Sequence, residues 1–64
     1  MISTKVFTAY SPGFQKNYLR SWIDTKRLDG WYSFTKWRHL MDALDACEPK
    51  DYIEFGCWIN CLQH

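Results

Sequence analysis

No apolar run in this chain is longer than the five residues from Phe55 to Ile59. A membrane-spanning helix needs about 20, so a transmembrane protein is not expected. The first ten residues, MISTKVFTAY, hold neither the apolar stretch nor the small-residue cleavage site of a secretory signal. A soluble cytoplasmic protein is the expectation. The opening Met and the lack of a tag suggest a complete small gene product. No sign of charge dominates: eight Lys and Arg face seven Asp and Glu, a net charge of +1. That balance is too even for the basic footprint of a strong nucleic-acid binder. Only His39 and His64 are histidines. No phosphate-binding glycine loop and no nucleophile elbow is present, and the chain is not expected to be an enzyme. Asp42 and Asp45, three apart, belong to a solvated helix face, where nothing shifts a carboxylate toward acid–base work.

Aromatic rings are abundant. Four Trp, four Tyr and four Phe occur in 64 residues, more than one small core needs when each ring buries about 150–250 Å². Some are therefore expected at the surface. A chain of this length forms one domain, spanning residues 1–64. It buries only about 60% of its unfolded surface. The charges are segregated. Residues 1–40 hold seven Lys and Arg against two Asp, or +5; residues 41–64 hold one Lys against five Asp and Glu, or −4.

Residues 3–10, STKVFTAY, alternate like a strand, with Phe7 and Ala9 on one side. Ser11-Pro12 is a helix start, with Ser as the cap and Pro at the first helical position. Phe14, Tyr18, Trp22, Leu19 and Ile23 form an apolar stripe on a helix of about 14–24. Asp29-Gly30 then signals a two-residue hairpin between strands at about 25–28 and 31–34. The alternative is a helix running to residue 28 with Gly30 just past its end. Thr35 is a candidate cap for a second helix carrying Trp37, Leu40, Met41, Leu44 and Cys47, ended by Pro49. DYIEFGCWINCL reads as a strand with Ile53, Phe55, Cys57, Ile59 and Cys61 buried, and Tyr52 and Trp58 on the other face.

The expected fold is α+β: a small ferredoxin-like β-α-β-β-α-β arrangement, or a three-stranded version, with both helices on one face of the sheet. The open face would present Tyr52 and Trp58. Val6, Phe7, Ala9 and Pro12 resemble the first-strand motif of the RNA-recognition motif. Gly30 and Trp31 suit its third-strand motif, but Asp29, Tyr32 and Ser33 depart from it. That resemblance implies bases stacked on an aromatic sheet.

Cys47, Cys57, Cys61 and His64 supply zinc-type ligands, but without a paired knuckle. On a strand, Cys57 and Cys61 would lie about 13 Å apart, too far to share a metal or a disulfide. They are read as buried thiols in a reducing compartment, and no cofactor is expected.

The second helix opposes its own dipole. Lys36, Arg38 and His39 crowd its start, while Asp42, Asp45 and Glu48 follow. Cations at a helix N-terminus are unfavourable by about 0.3–1 kcal/mol each. An Arg38–Asp42 pair would offset part of that; so would an anion docked at the helix start. The expected function is a small non-enzymatic binding protein that docks on and modulates, with inhibition the favoured outcome, a larger protein or nucleoprotein machine with an acidic surface. Phage-encoded inhibitors such as anti-CRISPR proteins are of this kind. The expected contacts are Trp31, Lys36, Arg38, His39, Tyr52 and Trp58. The alternative is a nucleic-acid-binding module using the sheet face and the basic helix start. An exposed strand edge or open sheet face would equally make a homodimer.

Overall fold

The computed structural model describes residues 3–61, the side chain of Cys61 excepted, and they contain no strand. Four α-helices follow in order: α1 (Thr4–Thr8), α2 (Pro12–Leu28), α3 (Phe34–Ala46) and α4 (Tyr52–Cys61). A 3₁₀ turn over Pro49–Asp51 leads into α4. The α+β expectation is therefore wrong, as are the ferredoxin-like topology, the open sheet face and the strand edge offered for a homodimer.

Three serines start three of the helices. The hydroxyl oxygens of Ser3, Ser11 and Ser33 accept from the backbone N–H groups of Val6, Phe14 and Lys36 at 3.3, 3.3 and 3.2 Å. Each satisfies one of the donors a helix leaves unpaired at its N-terminus. Ser11 and Pro12 stand as the sequence indicates. Ser33, not Thr35, caps α3.

Asp29-Gly30 is a helix end rather than a hairpin. Gly30 has φ +87° and no other residue type has positive φ among the described residues. A type I′ turn needs positive φ at both central positions, and Asp29 sits at −77°. The N–H of Trp31 donates to the Lys26 carbonyl at 2.9 Å, and that of Gly30 to the Arg27 carbonyl at 3.0 Å. This crossed pair is the Schellman motif, which closes a helix at a left-handed glycine. The helix-extension alternative is thus the correct one. Gly30→Ala should lower stability by about 1–2 kcal/mol through backbone strain alone, because a Cβ there meets nothing within 4 Å. Gly13→Ala, in the first turn of α2 and equally open, should leave stability equal or slightly higher. Paired urea titrations check both.

α2 and α3 form an antiparallel hairpin around this turn. Near the start of α2, Lys16 and Arg20 reach Asp45 on the last turn of α3 at 3.5 and 2.6 Å. Near its end, Asp24 accepts from the Trp37 indole N–H at 2.7 Å. α4 packs on both α2 and α1. The buried cluster is Phe7, Leu19, Ile23, Tyr32, Leu40, Leu44, Tyr52, Phe55 and Ile59. Leu19 and Ile23, then Leu40 and Leu44, lie one turn apart on facing helices.

The last segment shows why its alternation misled. Tyr52, Phe55, Gly56 and Ile59 keep the spacing i, i+3, i+4, i+7, and all four are buried. Cys57, assigned inward by the period of two, is exposed. Tyr52, assigned to the open face, is core. The first segment is likewise a helical turn that buries Phe7.

Candidate functional site

The sharpest surface feature is the corner where α2 ends and α3 begins. The Schellman turn brings Trp31 back over the last turn of α2. There the Lys26 ammonium lies 5.5 Å from the ring centres of both Trp22 and Trp31. The Lys–Trp31 contact takes the position where a hydrophobic contact commonly accompanies this cap. On the adjoining side, the Arg27 guanidinium lies 4.7 Å from the Trp37 ring and 5.6 Å from that of Phe34. Lys36 lies 5.3 Å from the Tyr32 ring. Each such contact contributes about 0.5–1 kcal/mol when exposed, and it also fixes a long flexible cation in place.

The corner carries unpacked apolar surface. Leu28, Trp31 and Phe34 are 79%, 58% and 57% exposed. Lys26, Arg27 and Lys36 stand against Asp24 and Asp29, three positive charges against two negative. One of those carboxylates, Asp24, is already engaged by Trp37. A small apolar patch therefore sits in a cationic rim.

The charge order of α3 now has a tertiary explanation. Arg38 and Asp42 are both exposed and form no ion pair with each other. Asp45 instead answers Lys16 and Arg20 across the hairpin, and Lys36 answers an aromatic ring. The cross-helix ion pairs are surface pairs and contribute at most about 1 kcal/mol.

Of the residues expected to make contacts, Trp31 and Lys36 belong to this corner. Arg38 and His39 are exposed on α3. Tyr52 is 5% exposed and offers no surface for docking. Trp58 is exposed but lies elsewhere, in a groove shared with Cys47, Asp51, Glu54 and Phe55. The sequence reading missed Arg27, Phe34 and Leu28. Their signal was the Gly30 helix end, which places residues on both sides of the turn in one corner.

The distance argument against zinc falls with the strand, since helical residues four apart rise only about 6 Å. Among the described residues, no three His, Cys, Asp or Glu side chains are grouped to hold a metal. The Cys61 side chain and His64 lie outside the described residues. Burial, and then the carboxylates of Asp51, Glu48 and Glu54, push the Cys47 thiol above its ordinary value. It stays protonated at neutral pH, which makes it a weak nucleophile. Cys57, read as a buried thiol, is exposed.

No described helix is long and apolar enough to cross a membrane. Compared with family models, curated proteins and solved structures, the chain matches none.

Proposed function

We propose that this chain is a non-enzymatic docking protein whose α2–α3 corner binds an acidic surface on a larger protein assembly and blocks it. The observation that carries this reading is the exposure of Leu28, Trp31 and Phe34 inside a rim of Lys26, Arg27 and Lys36. Binding hot spots are enriched in Trp, Tyr and Arg, and apolar anchors at their centres are surrounded by polar contacts. Three cations of the corner already rest on rings, so less side-chain entropy is lost when a partner arrives. An acidic partner fits because cations around an apolar anchor steer it during encounter and then pair with it.

Nucleic acid is the competing reading. It draws on an aromatic sheet face and on the basic start of α3; the described residues hold no sheet, and the basic start remains. The test starts from affinity capture with the wild-type chain and with Trp31→Ala. The protein bound only by the wild type is purified and titrated. Trp31→Ala should weaken its binding by about 30-fold, equivalent to about 2 kcal/mol. Lys36→Ala should lower the on-rate and flatten its salt dependence. Single-stranded oligonucleotides are titrated in parallel at low and moderate salt. Micromolar oligonucleotide binding that is lost in both variants would overturn the protein-partner reading.

A further inference from the structure

A second surface lies away from the cationic corner. The 3₁₀ turn and α4 border an open groove of about 360 Å³ lined by Cys47, Asp51, Glu54, Phe55 and Trp58. Phe55 is buried and forms the floor; Trp58, 49% exposed, forms a wall. The two ring centres are 5.7 Å apart and inclined by 59°. Asp51 and Glu54 stand on the first turns of this segment, where their charge suits the helix dipole. That placement accounts for acids near the helix start. It does not account for what they face.

The contrast with the corner is informative. There, Trp22, Trp31, Tyr32, Phe34 and Trp37 each have a Lys or Arg of this chain over the ring. Among the described residues, no cation of the chain lies over Phe55 or Trp58. Among the described residues, Asp51 and Glu54 form no ion pair, whereas Glu48 pairs with Lys50 at 3.5 Å. The groove therefore has the aromatic face and the carboxylates of a cation site, and among the described residues no Lys or Arg fills it. Burial first, and then the carboxylates of Asp51, Glu48 and Glu54, raise the Cys47 thiol pKa, so the thiol adds no negative charge of its own to the groove at neutral pH.

We propose that this groove receives an arginine side chain from a basic segment of a partner protein. Its guanidinium plane stacks on Trp58 and its N–H fork donates to Asp51 and Glu54. Arginine suits the site better than lysine because a planar, delocalised cation stacks and makes two directed hydrogen bonds at once. The volume lies at the low end of the range for ligand sites, about 300–1,000 Å³. The groove shares no residue with the α2–α3 corner, so the two surfaces stand or fall separately.

The test is fluorescence anisotropy with a labelled Gly/Ser peptide carrying one central arginine, against the same peptide carrying citrulline. Citrulline keeps the shape and loses the charge. Saturable binding of the arginine peptide is expected, about tenfold or more tighter than citrulline. Trp58→Ala and the Asp51→Asn/Glu54→Gln double variant should each weaken it about tenfold with unchanged far-UV circular dichroism. Trp31→Ala should leave it intact. The proposal is overturned if arginine and citrulline peptides bind alike, if the groove variants bind as well as wild type, or if no saturable binding occurs. It is also overturned if a lysine peptide binds more tightly than arginine. Sedimentation is run on the same samples. Self-association abolished by Glu54→Gln would make a second copy of this chain the occupant, and would equally overturn the proposal.

Discussion

Leu44→Ala is expected to lower stability by about 2–5 kcal/mol. Leu44 is fully buried, as are Leu19, Ile23 and Ile59, so truncation removes apolar contact on the inner face of α3. A chain of 64 residues has roughly 3–10 kcal/mol of stability in total, at about 0.05–0.15 kcal/mol per residue. The variant should therefore sit close to unfolding at room temperature. A urea titration followed by far-UV circular dichroism reads this directly. Asp42→Ala is the control: the side chain is exposed and has no ion pair among the described residues, so a change within about 0.5 kcal/mol is expected. A Leu44→Ala cost below about 0.5 kcal/mol would show that the α3 stripe is not the core.

Gln15→Glu should be nearly as damaging, and for an electrostatic reason. Gln15 is 8% exposed. Its side-chain N–H₂ group donates to the Phe7 carbonyl at 3.1 Å and to the Tyr10 carbonyl at 3.2 Å. It thus adds a second donor to the Phe7 carbonyl, which also accepts from the Tyr10 N–H at 3.1 Å, and ties that short helix and its exit to α2. A five-residue helix has little stability of its own, so this link and the Phe7 packing hold it. A carboxylate at position 15 cannot donate, and would face two carbonyl oxygens at hydrogen-bond distance. The cost should be at least about 2–3 kcal/mol at neutral pH. Gln15→Leu, which removes the donor without adding charge, should cost less, about 1–2 kcal/mol.

The pH dependence separates the two causes. In Gln15→Glu the folded state holds the carboxyl neutral more strongly than the unfolded state does, so the folded pKa is raised. Protonated, the group can donate again. Lost stability should therefore return as pH falls through the raised folded value, and disappear as pH rises through it. Gln15→Leu should show no such recovery relative to wild type. Identical pH profiles for the two variants would mean that the buried bonds to α1 are unimportant.

Some of this architecture was readable residue by residue. Ser11-Pro12 announces a helix start because the hydroxyl and the fixed proline φ both act locally. The stripe of Trp37, Leu40, Met41 and Leu44 announces α3 because no other period fits it. Other stretches were ambiguous in kind. Tyr52, Phe55 and Ile59 fit a helix, while Ile53, Phe55, Cys57 and Ile59 fit a strand, and both sets are apolar. Asp29-Gly30 suits a hairpin and a helix end alike, because each needs positive φ at the glycine. For STKVFTAY the alternation spanned too few residues to exclude one helical turn.

The candidate site divides the same way. Surplus aromatics, segregated charge and the reversed dipole of α3 all pointed to surface function. Which ring meets which cation was not visible. Lys26 meets Trp31, and Arg27 meets Phe34 and Trp37, only because the chain closes a Schellman turn at Gly30. Trp58 lines one groove with Asp51, Glu54 and Phe55 only because its segment is helical.

What the sequence by itself determined is composition, charge segregation, the Ser11 start of α2 and the apolar stripe of α3, each set by interactions within a turn or two. Tertiary structure decided the rest. In the described chain no neighbouring strand offers the ladder that an isolated strand needs for its backbone groups. Residues 4–8 and 52–61 could satisfy those groups internally as helices while turning Phe7, Tyr52, Phe55 and Ile59 onto one core. Burial of those four side chains, a property of packing between helices, selected the helical period over the strand period and assigned Tyr52 to the interior and Trp58 to the surface.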